Sequence, residues 1–135
     1  TERRMALGRA IEVNEAWRTL RDPIARAEAT MRSLGVDVTE LGQPKPAPAL
    51  LMEMLETREE LSDAHRAKDL PRVATLGAAM QARQDDAIRA LAAGFEGAAA
   101  GDTDAVRRLL PRLGELRYLR RFLDEVSAIE EDLAT

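Results

Sequence analysis

The chain has 135 residues, of which 45% are hydrophobic and 33% are charged, a composition that fits one folded domain with a packed core rather than a disordered chain. Its net charge of −4 argues against a general nucleic-acid binder, and no apolar run approaches the roughly 18 residues that a membrane-spanning helix needs. The lack of cysteine excludes disulfides and cysteine-bound metals, and together with the lack of a signal peptide it favours a cytoplasmic protein.

Two helices are predicted in the first part of the chain. The first covers residues 3–20. Asp22 followed by Pro23 is typical of a helix start, because an aspartate carboxylate can accept a hydrogen bond from an unpaired backbone N–H and proline fits the first turn. The second predicted helix therefore runs from Pro23 to Leu34, and Gly35 is expected to cap its C-terminus.

A proline-rich segment separates these two helices from the rest of the chain. Three prolines at alternate positions close the stretch VDVTELGQPKPAP. Because proline blocks a helix and favours extended backbone, we predict a linker over residues 37–47. Three further helices are predicted over residues 48–67, 71–93 and 103–133, with Pro111 expected to kink the last of them.

The predicted fold class is all-α, because no stretch alternates apolar and polar residues as a half-buried strand does. Short breaks between the last three helices favour antiparallel neighbours. The predicted organisation is a two-helix N-terminal piece over residues 1–36, the linker over 37–47 and an antiparallel three-helix bundle over 48–135.

The third helix, which contains the stretch LLMEMLETREEL, carries apolar residues on two faces. With about 100° of rotation per residue, one stripe has the regular spacing of a core face. It consists of Leu50, Met54, Thr57, Leu61 and Ala64. A second stripe on nearly the opposite side begins apolar and continues as a row of carboxylates. It consists of Leu51, Met52, Leu55, Glu56, Glu59 and Asp63.

The second stripe has two interpretations that the pattern alone does not separate. Three large apolar residues opposite a core stripe suggest a surface that contacts another protein, and methionine adapts well to a partner. Alternatively, the helix is sandwiched, and the N-terminal piece of the same chain covers the second stripe.

The fifth predicted helix gives a weaker form of the same signal. Its core stripe is predicted to be Leu109, Leu113, Leu116, Leu119 and Leu123. Tyr118 falls about opposite to that stripe, with Phe122 one turn further on at its shoulder. An exposed tyrosine is a frequent interface anchor, although a half-buried surface tyrosine is the commoner case.

Metal binding and catalysis receive little support from the residues. Carboxylate-bridged metal sites in helical bundles use a Glu-x-x-His pair, whereas Ser62 stands three positions before His65, the only histidine. One histidine cannot be assigned a nucleophile, and no glycine-rich phosphate loop is present. We therefore expect a protein that is not an enzyme and that carries no cofactor or metal.

Three segments of the chain resemble the HscB-type J-domain co-chaperones of iron–sulfur cluster assembly. VNEAWRTLRDPIARAEATMRSLGVD looks like the last two helices of the family's J-domain. LLMEMLETREEL looks like the opening helix of its C-terminal domain, and LRYLRRFLDEVSAIEEDL is similar to the closing helix. The resemblance covers nearly the whole chain and is least clear between residues 70 and 112.

The resemblance implies both a fold and a task. The fold is a partial J-domain joined to a three-helix bundle. The task is to bind the scaffold protein on which clusters are built and to deliver it to an ATP-dependent HscA-type chaperone. By position, the partner-binding residues would be Leu51, Met52, Leu55, Glu56, Glu59, Asp63 and Tyr118.

One feature of the family is missing from the sequence. A J-domain stimulates its chaperone through a His-Pro-Asp motif in the loop before its third helix, and this chain has no such tripeptide. The chain begins with Thr1 rather than methionine, so we expect that residues upstream carry the motif and the first two J-domain helices.

The sequence therefore predicts a non-enzymatic, all-α binding protein that captures an iron–sulfur scaffold protein. A helical bundle that self-associates through the same face is the main alternative. A small-molecule or metal carrier of the carboxylate-bundle type is a further one.

Overall fold

The computed structural model describes residues 1–39 and 45–135, and these residues contain six α-helices. The helices are α1 (Glu2–Arg21), α2 (Pro23–Ser33), α3 (Pro48–Arg66), α4 (Leu70–Gly97), α5 (Thr103–Arg107) and α6 (Leu110–Ala134). No strand occurs in either described range, so the all-α prediction is confirmed. No helix in these ranges is long and apolar enough to cross a membrane.

The junction between α1 and α2 follows the predicted helix-start signal. The Asp22 carboxylate accepts a hydrogen bond from the backbone N–H of Ile24 at 2.9 Å, and Pro23 lies in the first turn of α2. Gly35 follows the end of α2 with a φ of +81°, a left-handed conformation that glycine adopts without steric cost. These contacts fix the point at which the chain turns from α1 into α2.

Helix α2 packs into the same core as the bundle helices α4 and α6. The α2 cluster consists of Ile24, Ala27, Met31, Val36, Val38, Ala87, Leu91, Val106, Leu110, Leu113 and Leu116. Two arginines of α6 add polar contacts at its edge. Arg120 pairs with Asp22 at 2.8 Å, and Arg117 donates a 2.7 Å hydrogen bond to the backbone carbonyl of Val38.

The start of the segment predicted as a linker is therefore part of the core. Val38 is 3% exposed, although it lies within the predicted linker over residues 37–47. The sequence did not reveal this, because two valines at alternate positions are too short a run to indicate a strand or a helix. Residues 40–44 of the linker lie outside the described residues, and the division into domains stays a prediction.

A short turn reverses the chain between α3 and α4. Lys68 adopts a positive φ of 54°, and the Asp69 carboxylate accepts a 3.1 Å hydrogen bond from the backbone N–H of Arg72. A connection this short makes α3 and α4 antiparallel neighbours. Helix α4 then packs closely along α6, where Gly77 lies against Val126.

The long helix predicted over residues 103–133 is two helices. Helix α5 ends at Arg107, and α6 begins at Leu110. Pro111 therefore lies in the first turn of α6, where its missing N–H would have no intrahelical partner. We predicted a kink at this proline, and the structure shows a complete break two residues earlier.

The buried face of α6 turns along the helix, which corrects the predicted core stripe. Leu113, Leu116 and Leu119 are buried as predicted, but Leu109 and Leu123 are only partly buried. Phe122, which we placed at the shoulder of the stripe, is fully buried. It belongs to the α3 cluster, which consists of Leu61, Ala64, Val73, Phe122, Val126 and Ile129.

The cause of this difference is a change of neighbours along α6. Its first half packs on α2 and α4, whereas its second half packs on α3 and α4. At about 100° per residue, the α6 residues of the two clusters lie on different sides of the helix. A single straight stripe therefore describes only the first half of the helix.

Candidate functional site

The predicted core stripe of α3 faces the bundle. Leu61 and Ala64 are buried in the α3 cluster, and Leu50, Met54 and Thr57 are partly buried. This orientation fixes the direction in which the second stripe of the helix points.

The three apolar residues of the second stripe are exposed. Leu51 is 44% exposed, Met52 is 59% exposed and Leu55 is 64% exposed. The sandwiched-helix interpretation is therefore wrong for the described part of the chain, because none of its helices covers these side chains. We call these three residues the apolar strip.

A row of carboxylates lies along one edge of the apolar strip. Glu56, Glu59 and Asp63 are all exposed, and Asp63 pairs with Arg66 on its own helix. Glu53 and Glu60, which lie just beyond this row, pair with arginines of α4. The acidic edge is thus the side of α3 nearest α4.

The other edge of the apolar strip faces α6 and is held there by three polar contacts. The Tyr118 hydroxyl donates to the Met54 carbonyl at 3.1 Å. Arg58 pairs with Glu125 at 3.4 Å, and His65 lies 2.9 Å from the Asp132 carboxylate. These contacts connect α3 to α6 at three points between Met54 and His65.

Tyr118 is partly buried, which is the commoner of the two cases that the sequence analysis gave for a tyrosine off the core stripe. Its ring lies 6.4 Å from the Phe122 ring, between centroids, and one side of it lines a groove next to the apolar strip. Burial raises the pKa of the Tyr118 hydroxyl above 10.0, and Arg58 partly opposes that change. The phenol is therefore neutral at physiological pH and keeps its hydrogen bond to Met54.

The groove beside the apolar strip has a volume of about 910 Å³ and runs between α3 and α6. Leu51 and Leu55 form its α3 wall, and Tyr118 stands on the α6 side. The charged residues that line the groove are mostly basic. The basic ones are Lys45, Arg58, Arg117 and Arg121, and the acidic one is Glu115. Helical spacing within α3 could have placed Arg58 beside Leu55, but the basic residues of α6 come near α3 only through tertiary packing.

The described residues were also compared with the residue sets that hold metal ions. They contain no group of three or more histidine, aspartate or glutamate side chains placed to hold a metal ion. The structure brings six of the predicted site residues to one face of α3 and puts Tyr118 on the far side of the adjoining groove. Their assignment to a partner stays a prediction at this point.

Comparison with known proteins gives consistent matches over most of the chain. The family described as the HSCB C-terminal oligomerisation domain matches residues 46–127. A co-chaperone protein HscB homolog from Ralstonia nicotianae is 40% identical over 111 residues, covering 81% of this chain and 63% of that protein. The homolog from Burkholderia vietnamiensis is 33% identical over 135 residues, covering 99% of this chain and 73% of that protein. The chain thus spans less than two thirds of the first relative and less than three quarters of the second.

Proposed function

Because this chain belongs to the HscB family of co-chaperones in iron–sulfur cluster assembly, we propose that it binds the cluster scaffold protein through the apolar strip. In this proposal the chain acts by binding and not by catalysis. It works in the cytoplasm and delivers the scaffold protein to an ATP-dependent HscA-type chaperone. The delivery step needs the family's His-Pro-Asp contact, a tripeptide that these 135 residues do not contain.

The observation that carries the proposal is the exposure of the apolar strip on a helix whose opposite face lies against the bundle. Leu51, Met52 and Leu55 would lose their contact with water when a partner covers them. Burial of apolar surface contributes roughly 25 cal/mol per Å², before the entropy lost on association is subtracted. The strip therefore supplies affinity, and the helix beneath it needs no rearrangement to do so.

The acidic edge would supply orientation and speed of association. Glu56, Glu59 and Asp63 form a row of negative charge beside the strip. Exposed charges of this kind steer a basic partner surface and suppress wrong partners more than they add affinity. We propose that these three carboxylates face a basic patch on the scaffold protein.

Truncation of the central leucine tests the proposal. Leu55→Ala should weaken binding of the purified scaffold protein at least tenfold, about 1.4 kcal/mol, when measured by isothermal titration calorimetry. The free energy of unfolding in urea should hardly change, since Leu55 is 64% exposed. Leu70→Ala is a matched control, because Leu70 is 41% exposed at the start of α4, away from the strip.

Unchanged affinity in the Leu55→Ala variant would overturn the proposal. Self-association through the same face remains the competing function. It predicts dimers in light scattering of the chain alone, and Leu55→Ala would abolish them. If the chain is monomeric in light scattering and binds the scaffold protein, capture of that protein is supported and the self-association hypothesis is wrong.

A further inference from the structure

We propose that the groove between α3 and α6 receives an acidic segment of the partner, so that the partner is held between two edges of opposite charge. This inference rests on the proposed function and names the chemistry of the bound segment. The segment carries an apolar side chain that lies on the groove wall and a carboxylate that faces the basic residues.

The two edges of α3 differ in charge because they face different helices. On the α4 side, Glu53 and Glu60 pair with arginines of α4, and the exposed carboxylate row continues from them toward the strip. On the α6 side, Arg58 follows Leu55 by three residues and so lies beside it on the helix surface. The apolar strip runs between these two edges.

The groove has a positive lining even though the whole chain is negative. Four basic side chains line it, against one carboxylate, that of Glu115. Arg83 holds the Glu115 carboxylate at 2.9 Å and Arg112 lies 3.4 Å from it. The Glu115 side chain is only 11% exposed, and Arg83 and Arg112 compensate its charge. Arg58 and Arg117 are paired as well, with Glu125 at 3.4 Å and with Glu28 at 3.6 Å. Because the two arginines on Glu115 equal these two carboxylates in number, the groove lining keeps an excess of positive charge.

Arg117 makes this positive charge a fixed part of the groove wall. It donates to the Val38 carbonyl at 2.7 Å and lies 3.6 Å from the Glu28 carboxylate. Its Nη1 atom is buried and has no hydrogen-bond partner among the described residues. The contacts with Val38 and Glu28 hold this guanidinium in place, so its positive charge stays at the groove wall.

The exposed Arg121 offers the clearest test, because it lines the groove and lies on the surface of α6. Arg121→Glu should weaken binding of the purified scaffold protein at least fivefold in calorimetry at low salt. Arg107→Glu makes the same change of charge on α5, outside the groove, and should leave the affinity within twofold. Arg121→Gln, which removes the charge without reversing it, should fall between the two.

A charge swap identifies the matching carboxylate. Scaffold variants in which single exposed aspartates or glutamates become arginine are each measured against the Arg121→Glu protein. One of them should recover at least half of the lost affinity in that protein while binding the unaltered protein more weakly. Circular dichroism of each variant confirms that the helices are intact.

The outcomes separate this inference from the function on which it rests. If Leu55→Ala weakens binding while Arg121→Glu behaves like Arg107→Glu, the acidic-segment proposal is wrong and scaffold capture stands. If no scaffold variant restores affinity, the proposal is also wrong, since the arginine then has no carboxylate partner. If Leu55→Ala has no effect, both proposals fall.

Discussion

The hydroxyl of Tyr118 on α6 donates a 3.1 Å hydrogen bond to the backbone carbonyl of Met54 on α3. That carbonyl oxygen already lies within a helix and uses its second lone pair for this contact. The bond holds the first half of α3 against α6 at the edge of the groove. Tyr118 thus combines a ring that faces the groove with a polar end that stabilises its wall.

Removal of the hydroxyl alone should separate these two contributions. Tyr118→Phe loses the hydrogen bond to Met54 and should lower the free energy of unfolding by about 0.5 to 1.5 kcal/mol. Its ring stays in place, so scaffold binding should change less than twofold. Tyr118→Ala removes the ring as well and should weaken binding at least fivefold. Urea denaturation and calorimetry on both variants check this, and equal binding losses in the two would contradict it.

Phe122 should be the most sensitive position in the α3 cluster. It is fully buried, whereas we predicted it at the shoulder of α6. Truncation of a buried phenylalanine leaves a cavity, so Phe122→Ala should cost about 3 to 5 kcal/mol in urea denaturation. Met52→Ala, at an exposed position, is the matched control and should cost less than about 0.5 kcal/mol. A loss below about 1 kcal/mol at Phe122 would contradict its buried placement.

Gly77 permits the close approach of α4 and α6. A Cβ atom at this position would lie 2.9 Å from Cγ1 of Val126, which is too close for two carbons. Gly77→Ala should therefore destabilise the protein by about 1 to 3 kcal/mol, despite the higher helix propensity of alanine. Gly8→Ala in α1 is the control, because nothing lies within 4 Å of its added Cβ and the helix should gain stability. The double variant Gly77→Ala, Val126→Ala should recover part of the loss.

The Asp22–Arg120 pair should make part of the stability depend on pH. The hydrogen bond from Arg120 lowers the pKa of the Asp22 carboxyl below its ordinary value of 3.8, and burial partly opposes this. At neutral pH the carboxyl is ionised in both the folded and the unfolded chain, and the stabilisation is fully present. As the pH falls below 3.8 the unfolded chain takes up the proton first, so the stabilisation shrinks. It is lost once the pH falls through the lower pKa of the folded state.

A double-mutant cycle with Asp22→Asn and Arg120→Gln measures this contribution. Because both side chains are about one third exposed, the coupling at neutral pH should be about 0.5 to 1 kcal/mol. It should decline toward zero in acid. A coupling that stays constant across this range would show that the pair does not respond to protonation of Asp22.

Signals from adjacent residues predicted where the helices begin and end better than they predicted which helices pack together. The bounds of α1, α2 and α3 agree with the sequence prediction within about two residues, because Asp22, Pro23 and Gly35 act through contacts with adjacent residues. The wheel of α3 also placed Leu55 correctly opposite the core stripe, but whether another helix covers Leu55 was left open and only the structure shows its exposure. Both results depend only on residues close together in the chain.

The errors concern features that depend on tertiary packing. The buried face of α6 turns because its first half packs against α2 and its second half against α3. The residue pattern within α6 does not indicate which helix lies beside it. Val38 joins the core for the same reason. The basic lining of the groove combines Arg58 of α3 with Arg117 and Arg121 of α6, which are far apart in sequence. A helical wheel for one helix cannot show such a combination.

The shared use of α6 by both clusters has a geometric consequence. The half of this helix that packs against α2 also forms a wall of the groove, through other side chains of the same turns, so no hinge separates the two regions. Proteins held at α2 and at the groove would keep a constant distance and angle. The scaffold protein would then be presented in one defined pose relative to α2, as on a rigid arm, rather than on a flexible tether.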